Sequence, residues 1–241
     1  MRINVSLTSI YANRDILQKC IASLLNQTMK PDAIYLYLSR ERYLLDSGFS
    51  KVPDWLSRLP ITVRFIPNNG PYRKLIPLLN DKWDNDEVII TVDDDTVYSP
   101  NLVESMVKEY KRSGNCVGCR VFHLEDLGAY TLTHFKQEHV NNFHTGKGAV
   151  LYHPSMFKRR PHPFLTEGIF NERYTFFCPT ADDIWLNLWR MYNGVPCSVV
   201  LDKNYMVKDF TNNNFALYKH YNEEKNAEMY KATYNLIFGT I

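Results

Sequence analysis

Three consecutive carboxylates, Asp93-Asp94-Asp95, follow directly on the run Val88-Ile89-Ile90-Thr91-Val92. Four β-branched aliphatics among those five residues read as a short strand buried on both faces. The carboxylates then stand where the strand leaves its sheet. Acids so crowded repel one another unless a cation joins them. An Asp-x-Asp turn offers hard oxygen ligands, which suit Mg²⁺ or Mn²⁺ better than a soft metal. Ligands of open α/β sheets bind just outside the carboxyl ends of strands. The plain alternative is a solvated turn, because Asp is a common turn residue. The position straight after a buried strand favours the metal reading.

The elements that must place this turn are legible on both sides of it. Ile3 to Leu7 reads as a strand. Asn13 is the expected cap of a helix whose apolar stripe is Ile16, Leu17, Cys20, Ile21, Leu24 and Leu25, with Pro31 as its stop. Ile34 to Ser39 is a second strand, so the order is βαβ and the sheet is largely parallel. Residues 40–60 predict a short helix inside a long connection, and Ile61 to Ile66 a third strand. Lys74 to Asn80 predicts another short helix. After the acidic turn, Ser99 and Pro100 are expected to open a helix that Gly114 closes. Cys116 to His123 reads as one strand, and Ala149 to Tyr152 as another after Gly146-Lys147-Gly148. Thr180 is expected to open a core helix striped by Ile184, Trp185, Leu188, Trp189 and Tyr192. Val195 to Leu201 reads as a strand, and Phe215 to Ile241 as a mostly helical, polar tail.

Composition narrows the function classes. A chain of 241 residues, 45% hydrophobic and 22% charged, fits one larger α/β domain. A formal net charge of +2 gives no electrostatic case for nucleic acid as the main partner. Five scattered cysteines, partly inside strand-like runs, read as free core thiols in a reducing compartment. Cys116-Val117-Gly118-Cys119 has no second pair at zinc-finger spacing. No signal peptide and no apolar run of spanning length is visible, so the expected location is cytoplasmic, with contact at the inner face of the membrane left open. The loop Phe157 to Phe164 is basic, aromatic and broken by proline; it reads as a surface loop, with acidic headgroups or a glycan as its other possible contact. His134, His139 and His144 recur every five residues, on no common helix face and on opposite faces of a strand, which argues against a shared metal site.

Four segments, taken in order, resemble the GT-A glycosyltransferases, and most closely the bacterial family 2-like members. They are Val5-Ser6-Leu7-Thr8-Ser9 with the helix of Asp15 to Gln27, Gly70-Pro71-Tyr72-Arg73-Lys74-Leu75, Thr91 to Asp95, and Ala181-Asp182-Asp183-Ile184-Trp185-Leu186. The resemblance covers roughly residues 3 to 202. It implies a mostly parallel, Rossmann-like central sheet flanked by helices in one domain over 1–241. Residues 1–115 would form the nucleotide-binding half, 116–202 the acceptor half and 203–241 a C-terminal tail.

The resemblance also implies the roles of residues. Asp95 would be the main metal ligand, with Asp93 or Asp94 assisting and Asp93 nearer the ribose. Thr8 and Ser9 would face the base and ribose, with Arg14 and Lys74 as further donor contacts. His220 would be a C-terminal metal ligand, although Tyr218-Lys219-His220-Tyr221 also reads as plain helix surface. Of the acidic pair Asp182-Asp183, Asp183 would be the base that takes the acceptor proton. Thr180 with Asp183 also matches the spacing of a capping box, and acids in a first turn suit the helix dipole. Gly146 and Gly148 would let backbone approach a sugar or acceptor, or simply make a tight turn.

The reading is a Mn²⁺- or Mg²⁺-dependent transfer of a sugar from a nucleotide donor, with a UDP-sugar favoured. The acceptor is a hydroxyl of a glycan or lipid-linked glycan, and inversion is expected through the resemblance. One rival is a nucleotide- or glycan-binding module of the same fold without turnover. Another is a sugar nucleotidylyltransferase, which would be expected to carry a Gly-rich, Arg-containing loop after its first strand. Leu7 to Arg14 contains no glycine.

Overall fold

The structure, a computed structural model, describes residues 1–200, 204–212 and 214–239. The chain begins with β1 (Arg2–Thr8), α1 (Arg14–Leu25), β2 (Ala33–Leu38) and β3 (Thr62–Phe65). It continues through α2 (Ile76–Asp81), β4 (Glu87–Val92), β5 (Thr96–Tyr98) and α3 (Leu102–Ser113). Then come β6 (Cys116–Gly118), β7 (Val121–Leu124), β8 (Leu132–His134), β9 (Asn142–His144) and β10 (Ala149–Tyr152). The C-terminal part holds α4 (Tyr174–Phe177), α5 (Asp182–Tyr192), β11 (Cys197–Val199), β12 (Met206–Asp209) and α6 (Asn226–Phe238).

The central sheet has the order β11-β6-β10-β4-β1-β2-β3. The pairs β1–β2, β1–β4, β2–β3 and β6–β11 are parallel, and β10 runs antiparallel to both neighbours. The chain thus moves outward from β1 to β3 and then returns to β4 on the other side of β1. That reversal opens a crevice at the carboxyl ends of β1 and β4, where open α/β sheets bind their ligands. Period-two alternation explains why β4 holds the middle. Val88, Ile90 and Val92 pack on the face covered by α1 and α3, while Ile89 packs on the face covered by α5. Every residue of β4 is buried. The mostly parallel α/β fold read from the sequence is the observed one.

Several boundaries differ, each for a tertiary reason. Helix α1 stops at Leu25, well before Pro31, because Gln27 turns inward. The Gln27 amide donates to Ser99 O at 2.8 Å and accepts from Val103 N at 3.0 Å. Residues 40–60 contain a single 3-10 turn, Leu56–Arg58, in place of a helix. Helix α3 starts at Leu102 with Asn101 at the cap position, while Ser99 Oγ donates to Asn101 Oδ1. Cys116 to His123 is two strands in two sheets. At Gly118 an added Cβ would lie 2.8 Å from Val121 Cγ2, so the chain can fold back there only with glycine.

Strands β7, β8 and β9 form their own antiparallel sheet, and β12 pairs with β5 immediately after the acidic turn. Leu201, the expected end of the last strand, lies outside the described residues. The tail is less polar than its sequence suggests. Met229, Tyr230, Thr233 and Ile237 of α6 are buried, in contact with the α5 core that holds Trp185 and Trp189. All five cysteines are buried and none is in a disulfide. No helix among the described residues is long and apolar enough to cross a membrane.

Candidate active site

The crevice is a cavity of about 720 Å³. One wall comes from β1 and the turn after it, including Thr8, Ser9 and Asn13. The floor is Asp93, Asp94 and Asp95 with Lys74, and the start of α5 brings Asp182 and Asp183. Phe122 and Leu132 of the small sheet, Tyr130 between β7 and β8, and residues of the segment 215–227 also line the cavity.

The three aspartates are not equivalent. Ser9 Oγ donates to Asp94 Oδ2 at 2.5 Å, and Asn13 Nδ2 to Asp94 Oδ1 at 3.1 Å. Asn13 stands at the helix cap position but makes no side-chain cap bond; it is held by Asp94 instead. Asp94 is thereby tied to the β1–α1 turn, which leaves Asp93 and Asp95 as the candidates to serve a cation. Burial, then Asp95 beside it, pushes the Asp94 carboxyl up to about 7 against the Ser9 and Asn13 bonds. Burial raises Asp93 to about 6, with Lys74 opposing and Asp95 and Asp182 adding to the rise. Asp95 is raised by burial and by nearby Asp209. Burial makes each of these acids costly to ionise.

Among the described residues no three His, Cys, Asp or Glu side chains are grouped to hold a metal. The candidate donor set is two carboxylates, Asp93 and Asp95. That set fits Mg²⁺ or Mn²⁺, which take one or two carboxylates and complete their shell with substrate phosphates and water. His220 does not join it. The turn Tyr218–Asn222 winds as a π-helix, directing Tyr218, Lys219 and Asn222 to the cavity and leaving His220 exposed outside it.

Lys74 bridges the two acidic groups, with Nζ 3.5 Å from Asp93 Oδ1 and 3.3 Å from Asp182 Oδ2. Burial works against its charge, but Asp182 and Asp93 outweigh that and hold it protonated. Gly146 leaves the room it needs: an added Cβ there would lie 2.9 Å from Lys74 Nζ. The glycine expected to admit a substrate thus admits a lysine head, while Gly148, at φ +93°, makes the turn into β10.

Asp183 is half-buried at the first turn of α5. Burial and the adjacent Asp182 push its carboxyl up, against Lys74 and the Gly146 N–H. The capping-box alternative is overturned. Thr180 Oγ1 donates to Asn222 Oδ1 at 2.5 Å, and Asn222 Nδ2 returns a bond to Thr180 O at 3.0 Å. Asp183 is held instead through Asn187, whose Nδ2 donates to both Asp183 O and His144 O at 2.8 Å. These bonds pin the helix start to β9, so the acid does not depend on α5 alone for its position.

Thr8 lines the cavity but gives its hydroxyl to Tyr37 O. Arg14 is not among the lining residues. Its guanidinium lies over the Tyr11 ring, 4.5 Å from the centroid, and donates to Tyr11 O. Arg73, beside Lys74, is the buried arginine of the cavity, and its Nη2 pairs with Asp46 Oδ2 at 3.0 Å. Neither Asp46 nor Arg73 stood out as a site residue in the sequence. Asp46 lies in a long connection without periodicity; Arg73 was within reach, one position before Lys74. His134, His139 and His144 are dispersed, with His144 buried against Tyr152 and His134 exposed.

The doubly wound sheet, with an acidic turn at its switch point, is the GT-A fold that the sequence resembles. Solved structures share this fold. Residues 1–349 of TarS from S. aureus match at TM-score 0.52 and 12% identity, over 86% of this chain and 60% of that one. TarS has also been solved with UDP. The mannosyltransferase PcManGT from Pyrobaculum calidifontis, in complex with GDP-Man and Mn²⁺, matches at TM-score 0.55 and 11% identity, over 89% and 58% of the two chains. The chain therefore spans about 60% of the length of these structures. No curated protein sequence matches it. The chain belongs to glycosyl transferase family 2, whose model matches residues 7–166. That match ends before Asp182 and Asp183.

Proposed function

We propose that the protein is a glycosyltransferase that moves a sugar from a nucleotide-diphosphate sugar, with a UDP-sugar favoured, to a hydroxyl of a glycan or lipid-linked glycan. The observation that carries this reading is convergence. Asp93 and Asp95 at the end of β4, and Asp182 and Asp183 at the start of α5, line one cavity and are bridged by Lys74.

Residues 1–115 would bind the nucleotide, with Thr8 and Ser9 on the near wall. Residues 116–202 would form the acceptor side, and the tail would complete the far wall. As the glycosidic bond breaks, negative charge grows on the departing diphosphate. A divalent ion, Mn²⁺ or Mg²⁺, held by Asp93 and Asp95 would supply Lewis-acid stabilisation of that charge. Lys74 adds fixed positive charge at the same end of the cavity. Asp183 takes the proton from the acceptor hydroxyl as its oxygen bonds to the anomeric carbon opposite the leaving group. A single displacement of this kind inverts the anomeric centre. A carboxylate raised toward neutrality is well matched to that task, because a base works best with a pKa near the working pH. Asp182 acts on the site through Lys74 and is not needed as a second base.

The test is release of free nucleoside diphosphate from a panel of UDP- and GDP-sugars with Mn²⁺, each with and without a glycan acceptor mixture. Turnover that EDTA abolishes supports the reading. Nucleotide binding with no diphosphate release under any condition would put the binding-module alternative in its place.

A further inference from the structure

Lys74 is placed more tightly than a general donor contact requires. Its side chain is 10% exposed, and its backbone is fixed by Ser6 Oγ, which donates to Lys74 O at 2.6 Å. Its head lies within 3.5 Å of Asp93 and 3.3 Å of Asp182, in space kept open by Gly146. Its neighbour Arg73 is committed to Asp46 and takes no part in this pairing. One of the two acids proposed to receive a divalent ion is therefore already paired with a resident cation. Like charges held that close, in a partly dehydrated site, change cation affinity many-fold.

We infer that Lys74 is a built-in counter-cation that keeps divalent-metal affinity at Asp93 and Asp95 low until a nucleoside diphosphate arrives, so that metal and diphosphate enter together. This rests on the metal-dependent donor site proposed above. The diphosphate brings negative charge that offsets Lys74 and supplies the oxygens the two carboxylates lack. Asp182 makes the exchange short. When Asp93 turns to a metal ion, Lys74 retains a carboxylate within ion-pair distance and is not left buried without a partner.

The experiment is Mn²⁺ titration of the whole chain, following free Mn²⁺ by electron paramagnetic resonance, alone and with UDP or GDP. Lys74→Met is expected to bind Mn²⁺ alone at least about tenfold more tightly than wild type, and Lys74→Arg within about threefold of it. The nucleotide should raise wild-type affinity for Mn²⁺ by a larger factor than it raises that of Lys74→Met. Asp182→Asn gives an arm of opposite sign that does not depend on folding of the Lys74 variants. With Asp93 as its remaining carboxylate partner, Lys74 should weaken Mn²⁺ binding further.

Equal or weaker Mn²⁺ binding by Lys74→Met overturns the inference, as does unchanged or tighter binding by Asp182→Asn. If wild type binds Mn²⁺ with nucleotide while those results fail, the donor-site reading stands and the lysine inference alone falls. If no variant binds Mn²⁺ with or without nucleotide, the metal reading and the inference fall together.

Discussion

Arg73 and Lys74 are consecutive cations that line the same cavity, yet they are held in opposite ways. Arg73 reaches Asp46, whose oxygens also accept from Tyr11 N at 3.1 Å, Gly48 N at 2.9 Å and Asn68 Nδ2 at 3.2 Å. Asp46 is saturated, and the pair locks the connection after β2 to the turn that carries Gly70. Lys74 instead is shared between two acids at ion-pair distance, Asp93 and Asp182. A carboxylate whose oxygens are filled by four donors has nothing left to offer a ligand, whereas a cation shared between two acids can release one and keep the other. Burial does not distinguish the two, since both cations are buried; the number of acids each one faces does.

The comparison can be tested from its strongest consequence downward. Asp183→Asn should lower kcat by about 10² to 10⁴ while nucleotide binding stays near wild type, read as diphosphate release against nucleotide affinity. Asp46→Ala should do the reverse. It leaves Arg73 buried without its carboxylate and should cost about 3–5 kcal/mol in urea unfolding. Equal losses for Asp46→Ala and Lys74→Met would erase the distinction.

Acidity sharpens it further. The folded-state pKa of Asp183 lies above its ordinary value of 3.8, so the folded chain holds that proton more tightly than the unfolded chain. Its contribution is favourable below the unfolded value and is lost as pH rises through the folded one. Asp183→Asn should therefore gain stability relative to wild type as pH rises, by up to about 1.4 kcal/mol per pH unit in that window, with no gain near pH 3. The acidic limb of wild-type kcat/KM should likewise fall at a higher pH than an ordinary aspartate would give. The smallest effects belong outside the cavity: Arg14→Ala and His220→Ala should leave donor affinity within about twofold of wild type in the same binding assay.

Much of this arrangement was legible in local patterns. The alternation of β4, the helix stripe of α5 and the acidic residues that end or begin them are written in consecutive residues, because period and burial are local signals. Asn13 and Thr180 misled for a shared reason. Both have the chemistry of a helix cap, and both make a long-range bond instead, to Asp94 and to Asn222. Asp46 carries no period and gave no signal, and the segment 215–227 read as helical tail, with His220 singled out in place of the Tyr218, Lys219 and Asn222 that line the cavity. Their place in the cavity wall follows from contacts that span large separations in the chain.

The sequence by itself determined that this chain forms a parallel α/β sheet with carboxylates at the end of a buried central strand. Hydrophobic period and the chemistry of adjacent side chains are enough for that. Tertiary structure alone decided that Asp94 is tied to the β1–α1 turn and that a lysine stands between Asp93 and Asp182. Those outcomes depend on distances of a few ångströms between residues far apart in the chain, and they are fixed only when the sheet's reversal and α5 bring β4, Lys74 and Asp183 to one cavity.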